Sequence, residues 1–428
     1  MTESADAAPA TTGGTFAPLR ERTFRTIWTA SLLSNFGQLI LGVGAAWEMT
    51  RLTSSASMVA LVQTALMLPL MLVAVPAGAI ADMFDRRKTA MAGLGASMIF
   101  AAVLTTLAFL NLTSPWVILA FCSLIGGGVA LYSPAWQASI SEQVEPAHLP
   151  AAIALGTISY SVARSIGPAI GGLIVLAAGA KAAFAINAVF YLPLFVAFFF
   201  WKRRQTSPRL PPERLNRAIV SGVRYIRHSG PIRTVLFRSF IFGSAGATAT
   251  ALAPLIARDL LGGDAGVYGL LLGAGGFGAV TGALLVKWFG DKLGTEQATR
   301  LLSVIGGLSL VLVGFSHSLP LTCLALFISG GANILTIALF NIAVQMAAPR
   351  WVTARALSLF SSALTGGIAM GALFWGLVAN GSSVQVAMVA SGVAMLAMPL
   401  LAMVFPLPMA TQADVELVEL SHQPEVGL

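Results

Sequence analysis

The chain has 428 residues, 57% of them hydrophobic and 10% charged, with a mean hydropathy of +0.83. Soluble domains carry about 25% charged residues, so this composition excludes a string of water-facing domains and leaves lipid as the main solvent. The net charge of +8 therefore marks loops beside anionic headgroups rather than a nucleic-acid partner.

In chain order, residues 1–18 are small, polar and rich in Pro, Ala and Thr, without the apolar core of a signal peptide. They are expected to form a disordered cytoplasmic tail. Apolar runs of about 20 residues follow, each long enough to span a hydrocarbon core of about 30 Å. They are continuous rather than alternating, which indicates helices and not barrel strands. Twelve spans are predicted. Six fall near 26–47, 58–80, 89–110, 115–137, 151–177 and 182–201, and six near 235–257, 265–288, 299–316, 320–345, 354–378 and 383–405. The fold class is an all-α membrane protein of twelve transmembrane helices in two six-helix bundles, 19–201 and 234–406. Residues 202–233 form a linker with a basic amphipathic segment (Arg214, Arg217, Arg224, Arg227), expected to lie on the membrane surface. A short acidic tail occupies 407–428.

Basic residues set the orientation. With the N-terminus inside, Arg20, Arg22, Arg25, Arg86, Arg87, Lys88, the linker, Lys287, Lys292, Arg300, Arg350 and Arg355 share one side, while Arg51, Lys181 and Arg258 fall opposite. Both termini are expected in the cytoplasm. The halves also echo one another. Gly78, Gly126, Gly167 and Gly172 have counterparts at Gly282, Gly330, Gly371 and Gly376, offset by about 200 residues. Such repeats, with a binding site between the halves, are a feature of transporter folds.

Span two ends in Gly78-Ala-Ile-Ala-Asp82-Met-Phe-Asp85-Arg86-Arg87-Lys88. This run resembles the loop signature of the major facilitator superfamily, Gly-x-x-x-Asp-x-x-Gly-Arg-Arg/Lys, and departs from it at Asp85, where glycine is usual. Gly78 allows close helix approach, and Asp82 has the spacing to pair with Arg86. The resemblance implies that Asp82 contacts span eleven, and that the contact locks an outward-facing state. Val286 stands where the second copy of Asp82 would be, so the lock is one-sided. The alternative is a solvated cluster that only marks a cytoplasmic loop.

Span five contains Arg164-Ser-Ile-Gly167-Pro168-Ala-Ile-Gly171-Gly172. This is similar to a Gly-Pro-x-x-Gly-Gly signature of superfamily exporters, in which proline bends the helix and the span serves as a hinge. Together with Pro134-Ala135 and the run from Trp47 to Ala56, it narrows the resemblance to the transmembrane secretion effector branch. That branch includes the enterobactin exporter and macrolide-efflux proteins. Arg164 lies about 22 Å into its span at 1.5 Å per residue. It is read either as a cavity cation for an anionic or polar substrate group, or as a structural partner of carbonyls at the helix bend.

Glu48, three residues before Arg51, is the first-half carboxylate suited to proton coupling; its plainer reading is a helix-end ion pair. Candidate cavity residues are Asn35 and Gln38 on span one, Trp136 and Gln137 on span four, and Asn333, Asn341 and Gln345 on span ten. Polar groups at these places also serve as packing contacts. Cys122 and Cys323 lie in apolar runs and suggest no disulfide. Walker, metal-ligand and nucleophile-elbow patterns do not occur, so an enzyme is not expected and neither is a cofactor or metal. The expected partners are a small-molecule substrate, protons as coupling ion and the bilayer of a bacterial inner membrane, with the chain acting as a monomer. The resemblance implies a proton-coupled exporter of an amphipathic drug or siderophore. An importer or facilitator of a polar solute, or a lipid-handling or non-transporting protein on the same scaffold, are the rivals.

Overall fold

A computed structural model describes residues 16–83, 85–202, 229–348 and 353–407. Most of the expected N-terminal tail, the central linker and the C-terminal tail lie outside them. The regular structure among the described residues is all helical, without strands. The main helices are α1 (Arg22–Leu52), α2 (Ala56–Met83), α3 (Arg86–Phe109), α4 (Pro115–Ser139) and α5 (Leu149–Phe200), then α6 (Gly230–Gly246), α7 (Ala265–Phe315), α8 (Leu319–Ala347), α9 (Thr353–Gly381) and α10 (Val384–Leu396). Short helical turns and a π-turn, Ile256–Leu260, continue α6, and Met398–Val404 continues α10.

Ten helical segments are long and apolar enough to cross a membrane among the described residues, and the protein is an integral membrane protein. Two of the ten are unusually long. Hydropathy separates spans at 151–177 and 182–201, and the 52-residue run there consists of two helical arms joined at a kink, Gly179 (φ 75°, ψ 173°). The same holds for α7, 51 residues long and broken at Gly294 (φ 71°, ψ 162°). A positive φ is the left-handed region that favours glycine, so each helix changes direction where its sequence permits it.

Helix starts follow local chemistry. Ser114, with Pro115 in the first turn, caps α4, Asp264 accepts from Gly266 N and Val267 N at the start of α7, and Ser383 caps α10. At the end of α3, Asn111 takes φ 58°, and its Oδ1 accepts from Lys181 Nζ at 2.7 Å, just beyond the Gly179 break.

Packing follows the order of the chain. α1 lies along α5, α3 along α4 and the second arm of α5, and α2 along α4; in the second half α7 packs on α8 and α10, and α6 on α9. The main pairs across the halves are α2 with α9 and α5 with α7. Large apolar side chains such as Leu173, Leu284 and Phe200 are exposed, as expected where the solvent is hydrocarbon.

Candidate functional site

The first arm of α5 presents two interfaces and two exposed strips. One interface faces α1: Trp28 Nε1 donates to the Leu155 carbonyl at 2.8 Å, Asn35 Nδ2 donates to Ser159 Oγ at 3.3 Å, and Gly167 and Gly171 lie against Leu39 and Val43. The other faces α7: Ser165 meets Gly276, Ala169 meets Gly273, and Gly172 meets Gly269. At the last pair the two backbones touch, and a Cβ on Gly172 would overlap the Gly269 Cα. Between the interfaces, Thr157, Tyr160, Ser161 and Arg164 are exposed on one side, and Ile158, Val162, Ile166, Ile170 and Leu173 on the other. Residues three and four apart share a helix face, so each set is one strip. The apolar strip suits lipid, and the polar strip opens on the gap between α1 and α7.

That gap is closed at the end near Thr53. Thr64 Oγ1 donates to the Ala369 carbonyl at 2.9 Å, Gly376 lies against Ala60, and Trp47 stacks with Tyr268 at 6.1 Å. Arg258 Nη1 donates to the Thr50 carbonyl at 2.7 Å, with its other nitrogens on Asp259. A hollow of about 320 Å³ at this end is lined by Ser54, Asp259, Asn380, Ser383 and Gln385 among others. It sits on helix ends and is distinct from the gap beside Arg164. Toward the opposite end, where α5 begins, the polar strip and Gln345 and Met346 of α8 are exposed.

The predicted residues distribute unevenly around this gap. Asn35 and Arg164 belong to the α1–α5 wall, and Gln38 is half-buried on α1. Gln345 Nε2 donates to Asn341 Oδ1 at 2.6 Å, so this pair meets one helical turn apart as its spacing requires. Asn333 sits near Gly246 of α6. Trp136 is buried, edge-on to Phe198 at 6.3 Å, while its neighbour Gln137 is exposed; the two do not share a surface. Glu48 accepts from Arg51 at 3.1 Å at the closed end. Pro168 is buried within the first arm of α5, and the kink between the two arms comes at Gly179. Gly167, Gly171 and Gly172 all lie at helix contacts.

At the loop between α2 and α3, Gly78 and Asp82 lie in helix; their side-chain positions, and so any Asp82–Arg86 pair, lie outside the described residues. Asp85 has φ −60° and ψ 114°, ordinary extended backbone, and its carboxylate accepts from Lys88 N at 3.0 Å as the cap of α3. The departure from glycine thus supplies a helix cap. Arg86 Nη1 donates to Glu142 Oε1 at 3.1 Å and to the Ala138 carbonyl at 2.9 Å. Arg87 donates to the carbonyls of Phe198 and Phe199 in the last turn of α5, where a cation complements the helix dipole.

A second ionic cluster was not singled out in the sequence. Arg238, 2% exposed, donates to Glu296 Oε2 at 2.6 Å, and Arg300 donates to Glu296 Oε1 at 2.7 Å. Glu296 also accepts from Leu407 N at 3.0 Å, and Arg238 donates to the Phe405 carbonyl at 3.3 Å. The signals were present: Arg238 interrupts an apolar run as Arg164 does, and Glu296 precedes Arg300 by four residues.

The family model for transmembrane secretion effectors matches residues 13–428. The staphyloferrin A transporter of Staphylococcus aureus (strain NCTC 8325 / PS 47) is 24% identical over 293 residues, 68% of this chain and 73% of that protein. The uncharacterized MFS-type transporter YfiS of Bacillus subtilis (strain 168) is 24% identical over 337 residues, 76% of this chain and 79% of that protein. Among solved structures, the nucleoside transporter NupG superposes with a TM-score of 0.70 at 11% identity, covering 90% of this chain and 99% of that one. A bacterial homolog of the human lysosomal transporter Spinster, inward-facing and unoccupied, gives 0.69 at 14%, covering 91% and 96%. At these identities the likeness to the structures concerns the fold.

Proposed function

The chain belongs to the transmembrane secretion effector family of major facilitator transporters, which are not enzymes, and on that premise we propose that it exports a small hydrophobic or amphipathic molecule by alternating access. The cargo is of the drug or siderophore class, and the driving force is proton antiport. The observation that carries this reading is how the halves meet. They join through α2–α9 and α5–α7 near Thr53 and stand apart along the polar strip of α5. With the basic loops in the cytoplasm of a bacterial cell, the closed end is the outer one. The gap then opens inward, the stage at which an exporter collects cargo. The name of the staphyloferrin A transporter favours a siderophore within the class.

The reading includes twelve crossings in two related bundles, each long helix crossing twice. A straight helix of 52 residues would run about 78 Å at 1.5 Å per residue, far beyond a core of about 30 Å. Contacts repeat at the sequence offset. Gly126 packs on the Leu66 carbonyl and Gly330 on the Gly275 carbonyl; Gly172 packs on Gly269 and Gly376 on Ala60. In this scheme Gly78, Asp82, Asp85, Arg86 and Arg87 belong to the cytoplasmic gate, Gly167 to Gly172 to the sliding contact of α5, and Asn35, Gln38, Gln137, Asn333, Asn341 and Gln345 to the polar wall of the path. Glu48 takes the proton, exchanging its ion pair with Arg51 as the outer end opens.

Inverted membrane vesicles offered a panel of dyes, antibiotics and siderophores test the proposal. Uptake that collapses with a proton ionophore is expected. Uptake indifferent to the ionophore would remove proton coupling, and absence of uptake for the entire panel would count against an exporter of this class.

A further inference from the structure

We infer that the cleft holds an anion subsite centred on Arg164, so that the cargo is an amphiphile bearing a carboxylate or a similarly charged group. The inference rests on the reading of the gap as the substrate path. Arg164 stands fifteen residues after Leu149 in α5, exposed at the head of the strip Thr157, Tyr160, Ser161. That strip lies opposite the Ile158–Leu173 strip, because the α1 and α7 interfaces separate the two. A guanidinium on the lipid side would be severely penalised; the polar side is where it can be kept.

No described residue pairs with it. Arg164 makes no hydrogen bond or ion pair among the described residues, in contrast to Arg51, Arg86, Arg238, Arg258 and Arg300, each of which has a carboxylate. The helices that flank Arg164 hold no spare acid beside it. α5 contains no Asp or Glu, nor do α4 and α8, and α7 has none between Asp264 and Asp291. The one acid in the body of α1, Glu48, is held by Arg51. A lone cation between low-dielectric walls focuses its field into the gap and draws anions. Its planar fork suits a carboxylate or sulfonate, and the hydroxyls of Tyr160 and Ser161 on the same strip are additional donors. The apolar walls would take the remainder of an amphiphile.

The full chain in nanodiscs of zwitterionic lipid, with empty discs subtracted, would be titrated with anilinonaphthalene sulfonate and with phenylnaphthylamine, the same frame without the sulfonate. Wild type should bind the anion with an affinity about tenfold or more above that of Arg164→Ala and Arg164→Gln. Arg164→Lys, which keeps the charge, should retain part of the difference, and the neutral probe should bind all four proteins alike. Equal binding of the anion to wild type and Arg164→Gln would overturn the inference, as would an equal loss of the neutral probe. Binding is read without transport, so a failed vesicle assay and a failed anion subsite remain distinguishable.

Discussion

Arg258, in the π-turn that follows α6, donates to the carbonyl of Thr50 in the last turn of α1 at 2.7 Å. It reaches from the second half to a backbone acceptor in the first, and its remaining nitrogens are held by Asp259 at 2.5 and 3.1 Å. The acceptor is one of the carbonyls that a helix end leaves without an intrahelical partner.

Arg258→Ala should loosen the closed end. Spin labels at Ser54→Cys and Gln385→Cys, with Cys122 and Cys323 replaced by serine, report on the hollow between the halves. The variant should populate longer distances than the parent. An unchanged distribution would mean that the apolar contacts alone hold this end shut.

The Arg86–Glu142 pair fixes the loop between α2 and α3 to the end of α4. Because the pair is partly exposed, its coupling in a double-mutant cycle with Arg86→Ala and Glu142→Gln should be about 1 kcal/mol, read from thermal unfolding in detergent. Strictly additive losses would show that the Ala138 carbonyl is the partner that matters.

Glu296→Gln leaves Arg238 and Arg300 without their shared carboxylate. Removing one partner of a buried pair costs about 3–5 kcal/mol, so the variant should unfold at markedly lower temperature. It should also expose the chain near Leu407 to protease, since Glu296 accepts from that backbone N–H. Wild-type resistance at this site would place the anchoring of the segment in Phe405 and its ring contact with Phe237.

Gly172→Ala puts a methyl group where the Gly269 backbone passes. The contact joins the halves rather than stabilising either, so monodispersity and abundance should be kept while transport falls. Full transport would show that this approach is not needed during the cycle.

Much of this architecture was legible in the sequence, because hydropathy runs and glycine spacing report directly on helices in lipid and on their close contacts. The Asn341–Gln345 pair follows from helical spacing alone, and Arg164 from a charge within an apolar run. What escaped depends on distant partners. Nothing near Arg258 in the sequence indicates Thr50, and nothing near Arg86 indicates Glu142. Trp136 illustrates the converse: its polar neighbour Gln137 suggests a cavity, while the turn of the helix directs the indole onto Phe198. The turn between the two arms of α5 falls at Gly179, between the spans expected at 151–177 and 182–201, where a positive φ is tolerated.

Alternating access requires the halves to separate near Thr53 once in every cycle. Ala60→Cys and Gly376→Cys, in a protein whose native cysteines are serine, would face one another there, since a Cβ on Gly376 lies 2.5 Å from that of Ala60 and small backbone shifts reach disulfide geometry. With a substrate identified in the vesicle panel, oxidation should abolish uptake and reduction should restore it. Cross-linked protein that transports at the rate of the reduced form would contradict alternating access at this interface.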